Sequence, residues 1–270
     1  MKNNQLEAKN IEKGTPKIYR QSANVFFHCM KKLAHLKQIF ERKAILPRYN
    51  VEIIDFLNIP DCREIAFPMI CFCDIFLKLL SPHMKNYGDY VIGLDKDFGI
   101  QNGFEPIQYI NNKSEVAKKL QSVMNYLSAN ADEESAGEAI YSDQIISSLL
   151  YIKPLYGLMR LGDNISDNRL FTDEREWRFI PDMTGSELDK LMPAKKLVQA
   201  NLNLYSEAMT KYEKGWLKID LDAVKYIIVK NDDEIDDMIS FIKTLDNWED
   251  HEKDRLLTKL LTFDELKKDM

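Results

Sequence analysis

Short apolar runs alternate with helical stretches along this chain. NVFFH at 24–28 reads as a short buried strand. From 31 to 43 the apolar positions Leu33, Leu36, Ile39 and Phe40 fall three and four residues apart, which predicts an amphipathic helix that Pro47 ends. AFPMICFCD at 66–74 predicts a second strand, with Pro68 expected at its start or at a sheet edge because proline cannot donate to a ladder. YGDYVIGLD at 87–95 is a third, followed by a short helix over 95–101, and FEPIQYI at 104–110 is a fourth.

The pattern turns helical over 114–150, with an acidic loop expected at 131–137 between two helices. EWRFI returns to strand character and Pro181 closes it. LKIDL at 217–221 and KYIIV at 225–229 read as strands. NDDEIDDMISFIKTL at 231–245 reads as an amphipathic helix with acids in its first turn. A last helix is expected near 249–261. Strands and helices alternate irregularly, so the fold class is α+β: a central mixed or antiparallel sheet with flanking helices, plus C-terminal helices. The expected organisation is a flexible arm at 1–20, an α+β core domain at 21–231 carrying the helical segment 114–150, and C-terminal helices at 232–270 packed on that core.

Composition narrows the function classes. At 270 residues, 45% hydrophobic and 30% charged, the chain suits an ordinary soluble globular protein with a sizeable core. The balance of 37 basic against 43 acidic residues gives −6, so no global basic field draws it to nucleic acid or anionic lipid. The first residues are polar, without the apolar core of a signal peptide, and the run 65–73 is too short and too proline-broken to span a bilayer. A cytoplasmic location is expected. Cys29, Cys62, Cys71 and Cys73 do not have the spacing of a zinc knuckle or a redox C-x-x-C and read as reduced thiols in the core, so no metal site is expected. Nucleophile elbow, P-loop, dinucleotide glycine fingerprint and H-E-x-x-H are all missing from the sequence.

Few residues remain that could carry chemistry. His35, His83 and His251 read as solvated or structural. His28 closes an apolar strand just before a helix, at the end of a sheet where ligands commonly bind. In FTDEREWRFIP at 171–181 strand alternation places Glu174, Glu176 and Arg178 on one face and Arg175, Trp177 and Phe179 on the other. Two carboxylates about 7 Å apart on one face repel unless a cation lies between them, and Arg178 can supply it. Two readings stay open: an ion-paired strand, or a glutamate that holds a ligand hydroxyl or steadies a developing cation. Tyr87 and Tyr90 flank Gly88 and Asp89, and Asp74 suits either a helix N-cap or a ligand group.

Taken in order, FFHCMKKLAHLKQIFERKAILPRYNVE, IAFPMICFCDI, YGDYVIGLDKDFGIQNGFEPIQYI and DEREWRFIP resemble the AbiGi family of bacterial abortive phage resistance proteins over about residues 25–230. That resemblance implies a cytoplasmic phage-defence protein acting as antitoxin or regulatory partner of a toxin encoded beside it. The acidic run at 230–237 would complement a basic partner surface. A more distant similarity is to ADP-ribosyltransferases, and it implies an alternative: an NAD-consuming effector enzyme. In that family a strand-end His and a Tyr frame NAD, and a late Glu stabilises the ribosyl oxocarbenium ion. His28, Tyr87 or Tyr90, and Glu176 would match, with Glu174 as the first acid of the pair and Asp74, Tyr90 and Arg178 as substrate contacts. Met30 stands where that family has a small hydroxyl residue. NAD is the cofactor on this reading and none is expected otherwise.

Overall fold

The computed structural model describes residues 22–130, 136–161, 164–193 and 196–268. The expected arm at 1–20 and most of the expected loop at 131–137 lie outside them.

β1 (Val25–Met30) runs into α1 (Leu33–Arg42), which buries Leu36, Ile39 and Phe40 as its spacing requires. Lys43, in the left-handed region at φ 48°, ends the helix four residues before Pro47. That proline instead separates the two-residue β2 (Ala44–Ile45) from β3 (Arg48–Ile53), a strand the sequence reading missed. β4 (Glu64–Cys73) is buried along most of its length. Then come α2 (Leu80–Tyr87), β5 (Tyr90–Asp95) and α3 (Lys96–Gln101), the last capped by Asp95, whose carboxylate accepts from the Asp97 and Phe98 amides. The expected fourth strand splits into β6 (Glu105–Pro106) and β7 (Gln108–Ile110).

The helical segment consists of α4 (Glu115–Ala129) and α5 (Ala136–Leu149). Three strands follow that periodicity did not reveal: β8 (Ile152–Pro154), β9 (Tyr156–Leu161) and β10 (Asn164–Leu170). β11 (Glu176–Phe179), β12 (Met192–Pro193), α6 (Gln199–Ala208), β13 (Leu217–Lys218) and β14 (Val224–Val229) lead to α7 (Asp232–Lys243). The expected last helix stops early. α8 (Asp250–Leu257) gives way to β15 (Leu260–Thr262) and α9 (Phe263–Leu266).

The main sheet runs β15-β14-β5-β1-β4-β11-β6, with β3 and β12 also on β4. It is mixed: β14 and β15 are parallel, and the remaining neighbours are antiparallel. One face carries Phe26, Met30, Phe72, Ile92 and Leu94 beneath α1, α7 and α8, with Trp177 4.8 Å from the Phe26 ring. On the other, Phe27, Cys73, Val91 and Ile228 meet Leu80 and Met84 of α2. Further along β4 that second face packs Phe67 and Met69 against Met124 of α4 and Leu149 of α5.

Pro68 is neither at the start of its strand nor on an edge. On one flank β4 pairs with β12 at 65–66 and with β11 at 70–73, so Pro68 falls in the gap between them, where no neighbour requires the missing N–H. Gly88 is fixed for a different reason. It turns α2 into β5 at φ 125°, and a Cβ there would sit 2.1 Å from the Met30 carbonyl oxygen. Gly88→Ala should therefore lower unfolding stability by about 2–4 kcal/mol. Urea denaturation measures it, and a loss under about 0.5 kcal/mol would mean the turn is not constrained as described.

Candidate functional site

β1 and β3 share one flank of β4 but part from each other. β1 meets β4 at Phe27↔Cys73, whereas β3 pairs from Glu64 to Met69. Residues 70–72 of β4 thus have no strand on that flank. Into this opening His28 sends its ring, with Nδ1 2.8 Å from the Cys71 carbonyl oxygen. A carbonyl can only accept, so Nδ1 carries the proton. Burial holds the His28 pKa below its usual value, against the upward pull of that hydrogen bond. The imidazole is neutral and stands in for a missing rung of the sheet. A cavity of about 700 Å³ opens at this parting, lined by His28, Tyr87, Glu52, Lys153, Glu174 and Glu176 among others.

Beside the cavity lies a buried network of charges. Arg178, wholly buried, donates from Nε to Glu176 Oε1 at 2.6 Å, from Nη2 to Glu52 Oε1 at 2.8 Å, and from Nη1 to the Leu150 carbonyl at 2.6 Å. Lys153 Nζ lies 2.6 Å from Glu176 Oε2, 3.2 Å from Glu174 Oε2 and 3.9 Å from Glu52 Oε1. Tyr87 donates to Glu174 Oε1 at 2.5 Å and stacks on the His83 ring. The Tyr109 hydroxyl accepts from the Glu176 amide at 2.9 Å.

Protonation follows from these contacts. Burial pushes the Glu176 carboxyl up, but Arg178 and then Lys153 outweigh it and hold the pKa at about 2. Burial acts downward on Lys153, and the three glutamates reverse it, so the ammonium persists well above the usual lysine range. For Glu52 burial wins over both cations and the pKa is raised. Desolvation lowers His83 to about 4. Near neutral pH Glu176, Lys153 and the two imidazoles therefore keep fixed states. Lys153 stands among the three carboxylates. Among the described residues no group of His, Cys, Asp and Glu could hold a metal ion.

The structure brings Tyr87, Glu174, Glu176 and Arg178 together, and adds Glu52 and Lys153. Alternation begins only at Glu176, because 171–174 form a 3-10 turn and Arg175 lies at φ 42°. Glu174 thus reaches the same cluster from a turn. The cation between the two carboxylates is Lys153, while Arg178 links Glu176 to Glu52. Register separates His28 from Glu176: Phe27, Cys73 and Glu176 are aligned and share a face, so the side chain of His28, the next residue, emerges on the other. Both oxygens of Glu176 already face cations, leaving neither free to meet a developing oxocarbenium charge.

Two further candidates lie apart from this cluster. Tyr90 donates to Glu234 Oε1 of α7 at 2.6 Å, and Asp74 Oδ2 pairs with Lys96 at 2.5 Å. Asp74 caps no helix. The missed members had a faint signal, since Glu52 and Lys153 are single charges inside otherwise apolar runs, VEII and YIKPLY.

Comparison with known proteins identifies the family. Residues 43–230 match the family of abortive phage resistance protein AbiGi, described as an antitoxin. The abortive phage resistance protein AbiGi of Lactococcus lactis subsp. cremoris is 33% identical over 247 residues, covering 84% of this chain and 99% of that protein. No solved structure matches the chain. Among the described residues no helix is long and apolar enough to cross a membrane. The chain belongs to the AbiGi family of abortive phage resistance proteins.

Acid should loosen this network. With its folded pKa near 2 against an ordinary 4.5, Glu176 contributes about 3 kcal/mol that is present above pH 4.5 and lost as pH falls toward 2. Glu52 has a raised folded pKa, so its charged form costs stability at neutral pH and acidification relieves that cost. Urea unfolding at pH 5 and pH 2.5 should show a loss for the native protein and a steeper one for Glu52→Gln. Equal stability of the native protein at both pH values would contradict the assignment.

Proposed function

We propose that this AbiGi-family protein is the antitoxin of an abortive-infection pair and neutralises, by direct protein contact, a toxin encoded beside it. The observation that carries the reading is the match across residues 43–230 to a family described as an antitoxin, together with near-complete coverage of a relative named for abortive phage resistance. The chemistry of the site agrees with a binding role. Glu176, Lys153 and Arg178 are paired within the network, and His28 is committed to a main-chain carbonyl.

A partner requires surface, and α4 supplies some. Its inner side buries Ala117 and Met124 in the core, which leaves Val116, Val123 and Tyr126 outward at 55%, 38% and 60% exposure. Positions i, i+7 and i+10 of a helix share one face, so these three make an apolar stripe, crossed by the exposed Lys119 between Val116 and Val123. Exposed apolar patches of this kind mark protein contact sites. We take the stripe as part of the toxin-binding face.

Co-expression with the neighbouring gene product should relieve that product's growth arrest, and the two should co-purify. Val123→Asp with Tyr126→Asp should weaken the complex by at least about tenfold while leaving unfolding stability within about 0.5 kcal/mol, since neither side chain is buried. Absence of both rescue and co-purification with the native protein would overturn the antitoxin reading. Full rescue by the double variant would remove only the stripe.

A further inference from the structure

The cavity at the parting of β1 and β3 has a charge arrangement that the antitoxin reading does not use. Along β3, Arg48, Asn50 and Glu52 alternate outward on one side and all line the cavity. Four residues of strand separate Arg48 from Glu52, roughly 13 Å. At the inner end Glu52 uses Oε1 for Arg178 and leaves Oε2 without a partner among the described residues. Lys153 and Arg178 hold Glu174, Glu176 and the Oε1 of Glu52 there, so the open acceptor capacity of the floor lies at the Oε2 of Glu52. Arg169 adds a third cation, 4.0 Å from Glu174.

The outer end is basic. Arg48 is exposed and its guanidinium has no ion pair among the described residues. Lys31 lines the same rim, as does Arg42, which lies over the Trp216 ring. His35 is near enough to Arg48 that, after burial, this guanidinium is what most depresses its pKa. The stacked rings of His83 and Tyr87 also line the cavity, with Tyr87 held on the Glu174 carboxylate, and offer a flat surface suited to another ring.

We propose that this cavity binds a nucleotide, with amino or ring N–H donors of the base directed to Glu52 and the phosphates held at the Arg48 rim. A donor-bearing flat ring joined to an anionic tail meets every unpaired feature of the wall. About 700 Å³ falls within the range of small-molecule sites. Neither a bare anion nor an uncharged base satisfies both ends. Binding here does not depend on the antitoxin role, and its failure would leave that role untouched.

The test is calorimetric titration of the full-length protein with the four common ribonucleotides as mono- and triphosphates, with the matching nucleosides, and with inorganic tripolyphosphate. At least one nucleotide should bind, with its nucleoside and tripolyphosphate each at least about tenfold weaker. Arg48→Ala, a change at an exposed position, should weaken the nucleotide about tenfold and leave the nucleoside within about twofold. Asn50→Ala, also exposed, serves as a second variant and should weaken nucleotide and nucleoside together. The proposal is overturned if no nucleotide binds at about 1 mM. It is equally overturned if tripolyphosphate binds as tightly as the nucleotide, or if Arg48→Ala changes nothing.

Discussion

Arg178 and Lys153 fasten together segments that lie far apart in sequence. The guanidinium joins β11 to Glu52 of β3 and to the main chain at Leu150, just after α5. The ammonium joins β8 to the turn before β11 and to β11 itself. Taking five charges out of water is expensive, and pairing repays that cost only when the geometry is close and each donor is used. Arg178 comes near this condition, since each of its three nitrogens donates at 2.6 to 2.8 Å, to Glu176, Leu150 and Glu52. Loss of one partner would strand a buried charge, typically a cost of about 3–5 kcal/mol.

The same arrangement explains why the protein has a cavity. β3 and β1 both need β4, but the network draws β3 toward β11 and β8 through Glu52, while β1 stays with β5. The flank of β4 between them is left open, and His28 covers the exposed Cys71 carbonyl. A hollow lined by a histidine, a tyrosine and glutamates resembles a catalytic site in composition. Its electrostatics are those of a brace, because the Glu176 carboxylate and the Lys153 ammonium are fixed by each other.

Much of this was legible in the sequence where periodicity was clean. The spacing of Leu33, Leu36, Ile39 and Phe40 gave α1, the acids before Met238 gave α7, and the alternation of EWRF correctly divided Glu176 and Arg178 from Trp177 and Phe179. β3 escaped because its burial does not alternate cleanly, β8 and β9 because Pro154 and Gly157 interrupt short runs, and β10 because its sequence NISDNRL is mostly polar. Pro68 misled for a specific reason: a proline is tolerated in a central strand when its N faces a gap between two shorter partners. For the site, local alternation found the carboxylates but not Lys153 or Glu52, since one charge in an apolar run does not say which distant charge it meets. His28 looked like the end of a strand, whereas β1 continues to Met30.

The Glu176–Arg178 pair, with Lys153, holds β11 in the sheet. A double-mutant cycle on Glu176→Gln and Arg178→Met, followed by urea denaturation at pH 7, tests it directly. The two losses should be strongly non-additive, with a coupling of about 2–3 kcal/mol. Losses that add to within about 0.5 kcal/mol would contradict it.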